Sequence, residues 1–340
     1  MTNCQGSTAG EIIRCSATDR VLGVICAPRD ERKTSMKFLA PLTIVADGCF
    51  SKYRKDFIHR EIQVKSNFVG FIMKDSVLPY QNHGLVTIGK IAPILMYQIG
   101  THETRVLIDI PGNLPSNRNG ELKEYIEKNV LPFIPLTVQK PFYEALQTER
   151  LRSMPNSFLP PSTNVTEGLI MLGDAMNMRH PLTGGGMTVG FKDVFLLSKL
   201  LSYEHVPDFN DSGLILAQMQ EFHWKRKFHG STVINVLAQA LHALFAAEED
   251  ENLNILRDAC VEYFKLGGIF TDHPCGLKAG IYPNPFLLIT HFFAVAIYGI
   301  WKLFTNGTIS QIPRNIIKSF MVIYTACVVI FPYLWCEVKF

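Results

Sequence analysis

The chain has 340 residues, enough for one large domain or two ordinary ones. Lys and Arg total 33 against 30 Asp and Glu, and the formal net charge of +3 argues against general nucleic-acid binding, which shows a basic stripe. Apolar residues make up 47% and charged residues only 19%, with mean hydropathy +0.13, so disorder is excluded for most of the chain and the apolar excess belongs to a very large core or a membrane-facing segment.

Residues 1–10 are small and polar, with no apolar stretch, so no secretory signal peptide is expected. Residues 20–27 (RVLGVICA) and 39–46 (LAPLTIVA) read as strands joined by a polar turn over 29–35. Residues 84–99 and 104–110 carry the β-branched and aromatic residues of an antiparallel pair turning at His102-Glu103. A short helix is expected over 120–130, stopped near Pro132 and Pro135, and the proline-rich 155–162 reads as a loop or edge segment. Residues 168–172 read as a short apolar strand, and 188–201 and 214–245 as helices. On the second helix, Trp224-Lys225-Arg226-Lys227 reads as a solvated basic face.

The last sixty residues hold five charged side chains, Lys302, Arg314, Lys318, Glu337 and Lys339. Two apolar runs lie there, 286–301 and 319–336, ending near Trp301 and Trp335, where interfacial aromatics belong. Both are marginal for a span of about 20 residues, so a membrane hairpin that crosses or dips into one leaflet is expected. Eight cysteines (Cys4, Cys15, Cys26, Cys49, Cys260, Cys275, Cys327 and Cys336) form no C-x-x-C pair and have no histidine at a zinc spacing. Neither a metal site nor a disulfide framework is expected. The sequon Asn164-Val165-Thr166 reads as chance.

Two segments carry chemistry, each a strand, a Gly/Asp turn and then a helix. In PLTIVADGCFSKYR (41–54) an apolar strand ends in Asp47-Gly48, and a helix with Ser51 and Arg54 in its first turns is expected. An Asp at the carboxyl end of a strand sits where α/β proteins bind ligands, and Gly48 permits close backbone approach. In GLIMLGDAMNMRHPLTGGGMTVGFKD (168–193) a strand delivers Gly173-Asp174, a loop follows, and Gly184, Gly185 and Gly186 open a helix near Met187. Glycine-rich backbone at a helix N-terminus offers free N–H groups and the positive dipole end, which suits an extended anionic cofactor.

These motifs resemble the GD and DG motifs of FAD-dependent monooxygenases of the hydroxybenzoate hydroxylase type. The longer runs LGDAMNMRHPLTGGGMTVGFKD (172–193), LRSMPNSFLPP (151–161), VLAQALHALF (236–245), YFKLGG (263–268) and PNPFLLITHFFAVAIY (283–298) resemble the squalene monooxygenase (squalene epoxidase) family, from about Val21 to the C-terminal pair.

The resemblance implies an α/β fold: a Rossmann-like FAD-binding domain, an antiparallel-sheet substrate domain and C-terminal membrane-associated helices. Residues 1–60 and 150–204 are expected to form the FAD-binding part, 61–149 the substrate sheet, 205–280 a helical region over the substrate pocket and 281–340 the membrane helices. The family's G-x-G-x-x-G unit has no counterpart here, so the FAD-binding domain is expected to be incomplete, with unpaired strand edges and exposed apolar surface.

The resemblance also implies FAD as cofactor, held by Gly173, Asp174, Gly184, Gly185, Gly186 and Met187, with Asp47, Gly48 and Arg54 on the diphosphate or reductant side. By the same resemblance, squalene is the expected substrate and 2,3-oxidosqualene the expected product. The flavin carries oxygen as a C4a-hydroperoxide, and no side chain is required as acid or base. Tyr97, Pro181, Leu182, Phe264, Pro274, Leu277 and His291 fall at the family's substrate pocket, while His180 and His291 are expected to be hydrogen-bonded structural histidines. The resemblance further implies electrons from NADPH-cytochrome P450 reductase and a place on the endoplasmic reticulum membrane facing the cytosol. Two alternatives stand beside this: a flavin enzyme acting on another prenyl lipid, and a catalytically inactive truncated membrane fragment.

Overall fold

The computed structural model describes residues 6–28, 34–88, 93–246 and 250–338. Three sheets and ten helices are built from them.

Strands β1 (Ser7–Arg14), β2 (Val21–Pro28) and β3 (Met36–Leu39) form an antiparallel sheet in the order β1-β2-β3. The expected pairing of 20–27 with 39–46 is corrected here. Pro41 ends the segment, Met36–Leu39 alone returns along β2, and Thr43–Val45 leaves as β4 for another sheet. There β4 runs parallel to β10 (Leu169–Met171), with Val45 opposite Met171. The reason is burial: Val45, Leu169, Ile170 and Met171 are all shielded, as expected of a parallel pair covered by helices. The cover consists of α4 (Gly186–Leu200) and α5 (Ser212–Arg226), which contribute Leu196, Leu197, Ile215, Met219 and Phe222. The outer face of α4 leaves Met187, Phe191, Val194 and Phe195 exposed, and Ile44 of β4 is exposed as well.

The five-stranded antiparallel sheet has the order β6 (Leu85–Thr87), β7 (Ile94–Gln98), β8 (Glu103–Pro111), β5 (Gln63–Lys74), β9 (Arg152–Phe158). Residues 152–158 thus extend the sheet built by 61–149. Pro155 is tolerated because β9 is an edge strand. One sheet face sends Val69, Phe71, Met73, Val106, Ile108 and Ile110 against α2 (Glu121–Asn129) and α3 (Leu136–Thr148). Helix α3 follows the prolines that were expected to end helical structure. Its buried residues Val138, Phe142, Ala145 and Leu146 recur at helical spacing, and their burial outweighs the lost donor of Pro141.

The segment expected to be one helix over 214–245 is two. A single π turn (Lys227–Ser231), with Gly230 at φ +113°, separates α5 from α6 (Thr232–Phe245). Only glycine adopts that φ readily. Around α6 pack α7 (Glu251–Phe264), α8 (Ile269–Ala279), α9 (Pro285–Thr305) and α10 (Ile312–Val338). Asn284 caps α9 by accepting from the N–H groups of Phe286 and Leu287, and Pro285 occupies the first helical position. Helices α9 and α10 form a hairpin long and apolar enough to cross a membrane. One face packs on α6, α7 and α8, while α10 exposes Ile317, Phe320, Tyr324, Val328, Phe331 and Trp335 along the other. The seven cysteines among the described residues are free thiols.

Candidate functional site

The parallel pairing of β4 and β10 sets their carboxyl ends side by side. Leu172 N–H donates to Val45 O at 2.9 Å, so Asp47-Gly48 and Gly173-Asp174 leave the sheet as adjacent turns. Gly48 and Gly173 have φ of +84° and +63°, and a Cβ at either would meet nothing within 4 Å. Both carboxylates are exposed. The buried Arg54, on the short helix α1 (Arg54–Phe57), joins the two turns. Its Nε donates to Ala175 O at 2.9 Å, Nη1 to Cys49 O at 3.0 Å, and Nη2 to Gly48 O at 3.0 Å and Asp174 O at 2.8 Å. Burial lowers the pKa of its guanidinium, and Asp47, Cys49 and Asp174 oppose that shift. The expectation that Arg54 supports a diphosphate is corrected by this geometry: its donors are taken by backbone carbonyls, and it acts as a clamp.

Gly184 (φ +67°) and Gly186 also face open space, whereas a Cβ at Gly185 would lie 2.4 Å from Ile234 Cγ2. The three glycines therefore divide their work. Gly185 lets the start of α4 rest on α6, and its neighbours keep the opposite surface clear. No side chain caps α4, so its first N–H groups point out beside the exposed Met187.

Behind the turns lies a buried polar network. Asn177 N–H donates to Gly173 O at 3.0 Å and its side-chain amide to Leu159 O at 2.8 Å. Its Oδ1 accepts from Arg179 (3.1 Å), Arg226 (3.3 Å) and Asn235 (3.1 Å). Arg226 holds both oxygens of Asp193, at 3.0 and 2.7 Å. Arg226 and Lys227 are thus buried, while Trp224 and Lys225 are exposed, so the reading of 224–227 as a solvated face is corrected for its second half. Burial, with the Arg226 charge adding to it, lowers Arg179 to about 10.

A second cluster lies between the five-stranded sheet and α6. Ser66, Asp109 and Asn156 share the sheet face opposite α2 and α3 and meet His180 and His242. The Asn156 amide donates to Ser66 Oγ and Asp109 Oδ1, both at 2.9 Å. His242 Nε2 lies 2.9 Å from Asp109 Oδ2, and His180 stacks on His242 at 3.8 Å. His180 Nδ1 accepts from Leu182 N–H at 3.2 Å, which leaves its ring proton on Nε2, beside Ser66 Oγ. Asp109, His180 and His242 come within ligand reach of one another, but that tautomer makes the group a hydrogen-bond relay. Burial, reinforced by His242, lowers His180 to about 3.

Phe264, Pro274, Leu277 and His291 line one small cavity of about 40 Å³ among α6, α7, α8 and α9. The remaining wall is aliphatic and aromatic except for Cys260, whose thiol burial pushes up to about 12. His291 turns its nitrogens away, to Tyr263 Oη at 2.9 Å and His273 Nδ1 at 3.0 Å. Burial and the neighbouring His273 lower its pKa. Tyr97 on β7 and the turn over Pro181 and Leu182 do not line this cavity.

Residues 39–317 match the family described as squalene epoxidase. The chain is 47% identical to squalene epoxidase erg1 of Aspergillus fumigatus, covering 97% of this chain and 68% of that protein. It is 45% identical to squalene monooxygenase of Rattus norvegicus, covering 95% and 55%. The chain belongs to the squalene epoxidase family. It spans between 55% and 68% of the length of these two relatives.

The fold is shared with flavin-dependent enzymes of known structure. The flavin-dependent brominase Bmp2 superposes with TM-score 0.62 at 11% identity, covering 86% of this chain and 70% of that one. Klebsiella pneumoniae HpxO complexed with FAD and uric acid superposes with TM-score 0.59 at 15% identity, covering 83% and 67%.

For a squalene epoxidase family member, the open glycine face, the two exposed carboxylates and the uncapped helix fit a dinucleotide cofactor. Asp47, Gly48, Gly173 and Asp174 lie on the adjacent ends of β4 and β10, and helix α4, opened by Gly184, Gly185 and Gly186, packs against the 173–175 turn. Asp109, His242, Asn177, Asn235 and Glu337 were not singled out from sequence. A signal existed for two of them: Asp109 sits between isoleucines in an apolar strand, and Glu337 ends an apolar run. The bonds from Asp109 to His242 and from Glu337 to Asn235 span 133 and 102 residues, so neither carries a local mark.

Proposed function

We propose that this chain is the cofactor- and substrate-binding body of a squalene epoxidase, which converts squalene to 2,3-oxidosqualene in sterol synthesis. The observation carrying the reading is the pair of exposed carboxylates, Asp47 and Asp174, on adjacent strand ends facing open glycine turns and the uncapped start of α4. FAD, when bound, supplies the redox chemistry that activates dioxygen. The chain's own residues bind and orient. Asp174 accepts hydrogen bonds from the ribityl or ribose hydroxyls. Asp47 and Gly48 flank the diphosphate side. The N–H groups of Gly186 and Met187 face the anionic part of the cofactor.

A hydrocarbon offers no hydrogen bonds, so selection rests on pocket shape and dryness. The cavity bounded by Phe264, Pro274, Leu277 and His291 presents that chemistry. At about 40 Å³ it holds only a few water-sized molecules, so binding squalene requires it to widen.

Membrane attachment through one face of the hairpin fits better than a full crossing. Helix α7, which packs along both α9 and α10, carries Glu251, Arg257, Asp258 and Glu262, and a crossing would drag these charges into hydrocarbon. The exposed row of α10 lies instead in one leaflet of the cytosolic face of the endoplasmic reticulum membrane. NADPH-cytochrome P450 reductase delivers the electrons there.

The test is flavin absorbance of the chain purified in mild detergent with FAD, then squalene turnover with the reductase. Bound flavin that Asp174→Ala removes, with oxidosqualene formed only by the parent, is the expected result. A folded protein that binds no flavin overturns the reading and favours an inactive fragment. Bound flavin without epoxide from squalene favours another prenyl lipid.

A further inference from the structure

The last turn of α10 contains a charge where an apolar helix would be expected to reach water. Glu337 is instead 3% exposed. Its Oε1 accepts from Asn235 Nδ2 at 2.8 Å and its Oε2 from Thr232 Oγ1 at 3.2 Å, both on the first turn of α6. Asn235 Nδ2 has two protons, and the second reaches Asn177 Oδ1 at 3.1 Å. Asn177 is wholly buried and bonds Gly173 O through its own N–H at 3.0 Å. One bridging amide therefore connects the end of the apolar hairpin to the Gly173-Asp174 turn.

The rest of the end of α10 is seated as well. Arg60 Nη1 donates to Cys336 O at 3.4 Å, and Tyr333 packs edge-on against Phe158 at 5.6 Å. Charge balance depends on the same residue. Arg179 and Arg226 are buried against Asn177 with Lys227 next in the chain, and the buried carboxylates Asp193 and Glu337 oppose these charges. Asp193 is already claimed by Arg226 through both oxygens. Glu337 is the carboxylate that acts on Lys227, and it adds to Asp174 and Asp193 in opposing the burial of Arg179; a buried cation without its anion is strongly disfavoured.

We infer that Glu337 is a positioning residue: by seating the last apolar helix on Asn235 it fixes Asn177, and with it the 173–186 loop. Helix seating and order in the cofactor turn are then two ends of one coupled equilibrium. A hairpin lifted from the body loosens the cofactor turn through the bridging amide of Asn235. The functional meaning rests on 173–186 being the cofactor loop; the structural coupling does not.

The experiment is hydrogen exchange of the full chain in detergent without FAD, comparing the parent with Glu337→Gln and Asn235→Ala. Leu122→Ala, far away under the five-stranded sheet, serves as a control for general loss of stability. The reporters are the amides of Met176, Asn177 and Met178, each bonded to a backbone carbonyl. Both network variants are expected to speed exchange at these amides on the order of ten-fold while the control leaves them at the parent rate. Faster exchange confined to 332–338, or an equal effect in the control, overturns the coupling. Should Glu337→Gln fail to fold, Asn235→Ala carries the same comparison. FAD titration of the variants then adds a readout whose failure alone points to the cofactor reading, because the exchange result stands without flavin.

Discussion

Arg54 donates to the backbone carbonyl of Asp174 at 2.8 Å and leaves its carboxylate free. The contact separates two roles that sequence had merged. Arg54 holds the turn, and Asp174 offers the ligand-binding group. Replacing them should therefore have opposite signatures.

Arg54→Leu removes donors from four buried or half-buried carbonyls and is expected to destabilise the fold by about 3 kcal/mol, read as a lower denaturation midpoint. Asp174→Asn should leave that midpoint within about 0.5 kcal/mol, since its carboxylate is exposed, while weakening FAD binding on the order of ten-fold or more. Equal loss of stability in both variants would contradict the division.

The glycines allow a second contrast. Gly185→Ala places a methyl 2.4 Å from Ile234 Cγ2 and is expected to cost roughly 1–3 kcal/mol by forcing α4 from α6. Gly186→Ala meets open space and should be neutral or stabilising by up to about 1 kcal/mol. If a cofactor rests on that face, Gly186→Ala nonetheless weakens flavin binding. Thermal melts with and without FAD check both statements.

Buried histidines give a pH dependence with a definite sign. His180 titrates at about 3 and His223 at about 4 when folded, against about 6.5 when unfolded, in each case chiefly because burial disfavours the cation. Between those values the unfolded chain binds more protons, so stability falls as pH is lowered through 6.5. The loss should reach about 2 kcal/mol for each histidine by pH 5, and it ceases below the folded values. Chemical denaturation at pH 7, 6 and 5 measures it, and His180→Asn should flatten the slope.

The exposed row of α10 predicts membrane affinity. Phe320→Asp with Tyr324→Asp should reduce co-flotation with vesicles on the order of a hundred-fold, because each ring contributes about 1.5–3 kcal/mol of burial. The melting temperature should hold, since both side chains lie outside the packed core.

Much of this site was legible as pattern. Asp47-Gly48 and Gly173-Asp174 announced strand-end turns because the strand, the acid and the glycine are consecutive in the chain. The C-terminal hairpin announced itself through length and lack of charge. Helix α3 and the break at Gly230 were hidden, because prolines and an unbroken apolar period are local signals that packing overrode. The membership of 152–158 in the five-stranded sheet was also invisible, since strand pairing joins residues about ninety apart, such as Ser66 and Asn156.

Sequence by itself determined the local chemistry: which turns could bend, which helix starts stay uncapped, which segments are apolar enough to seek core or lipid. Those properties follow from backbone freedom, capping side chains and hydrophobic period, all of which act within a few residues. Tertiary structure alone decided who meets whom. It turned Arg54 from a ligand group into a clamp and buried Arg226 against Asp193. It also carried Glu337 from the end of a greasy helix to the bridging amide of Asn235. Such pairings exist because a buried charge must find its counter-charge and donors wherever the fold brings them, and distance along the chain sets no limit on that search.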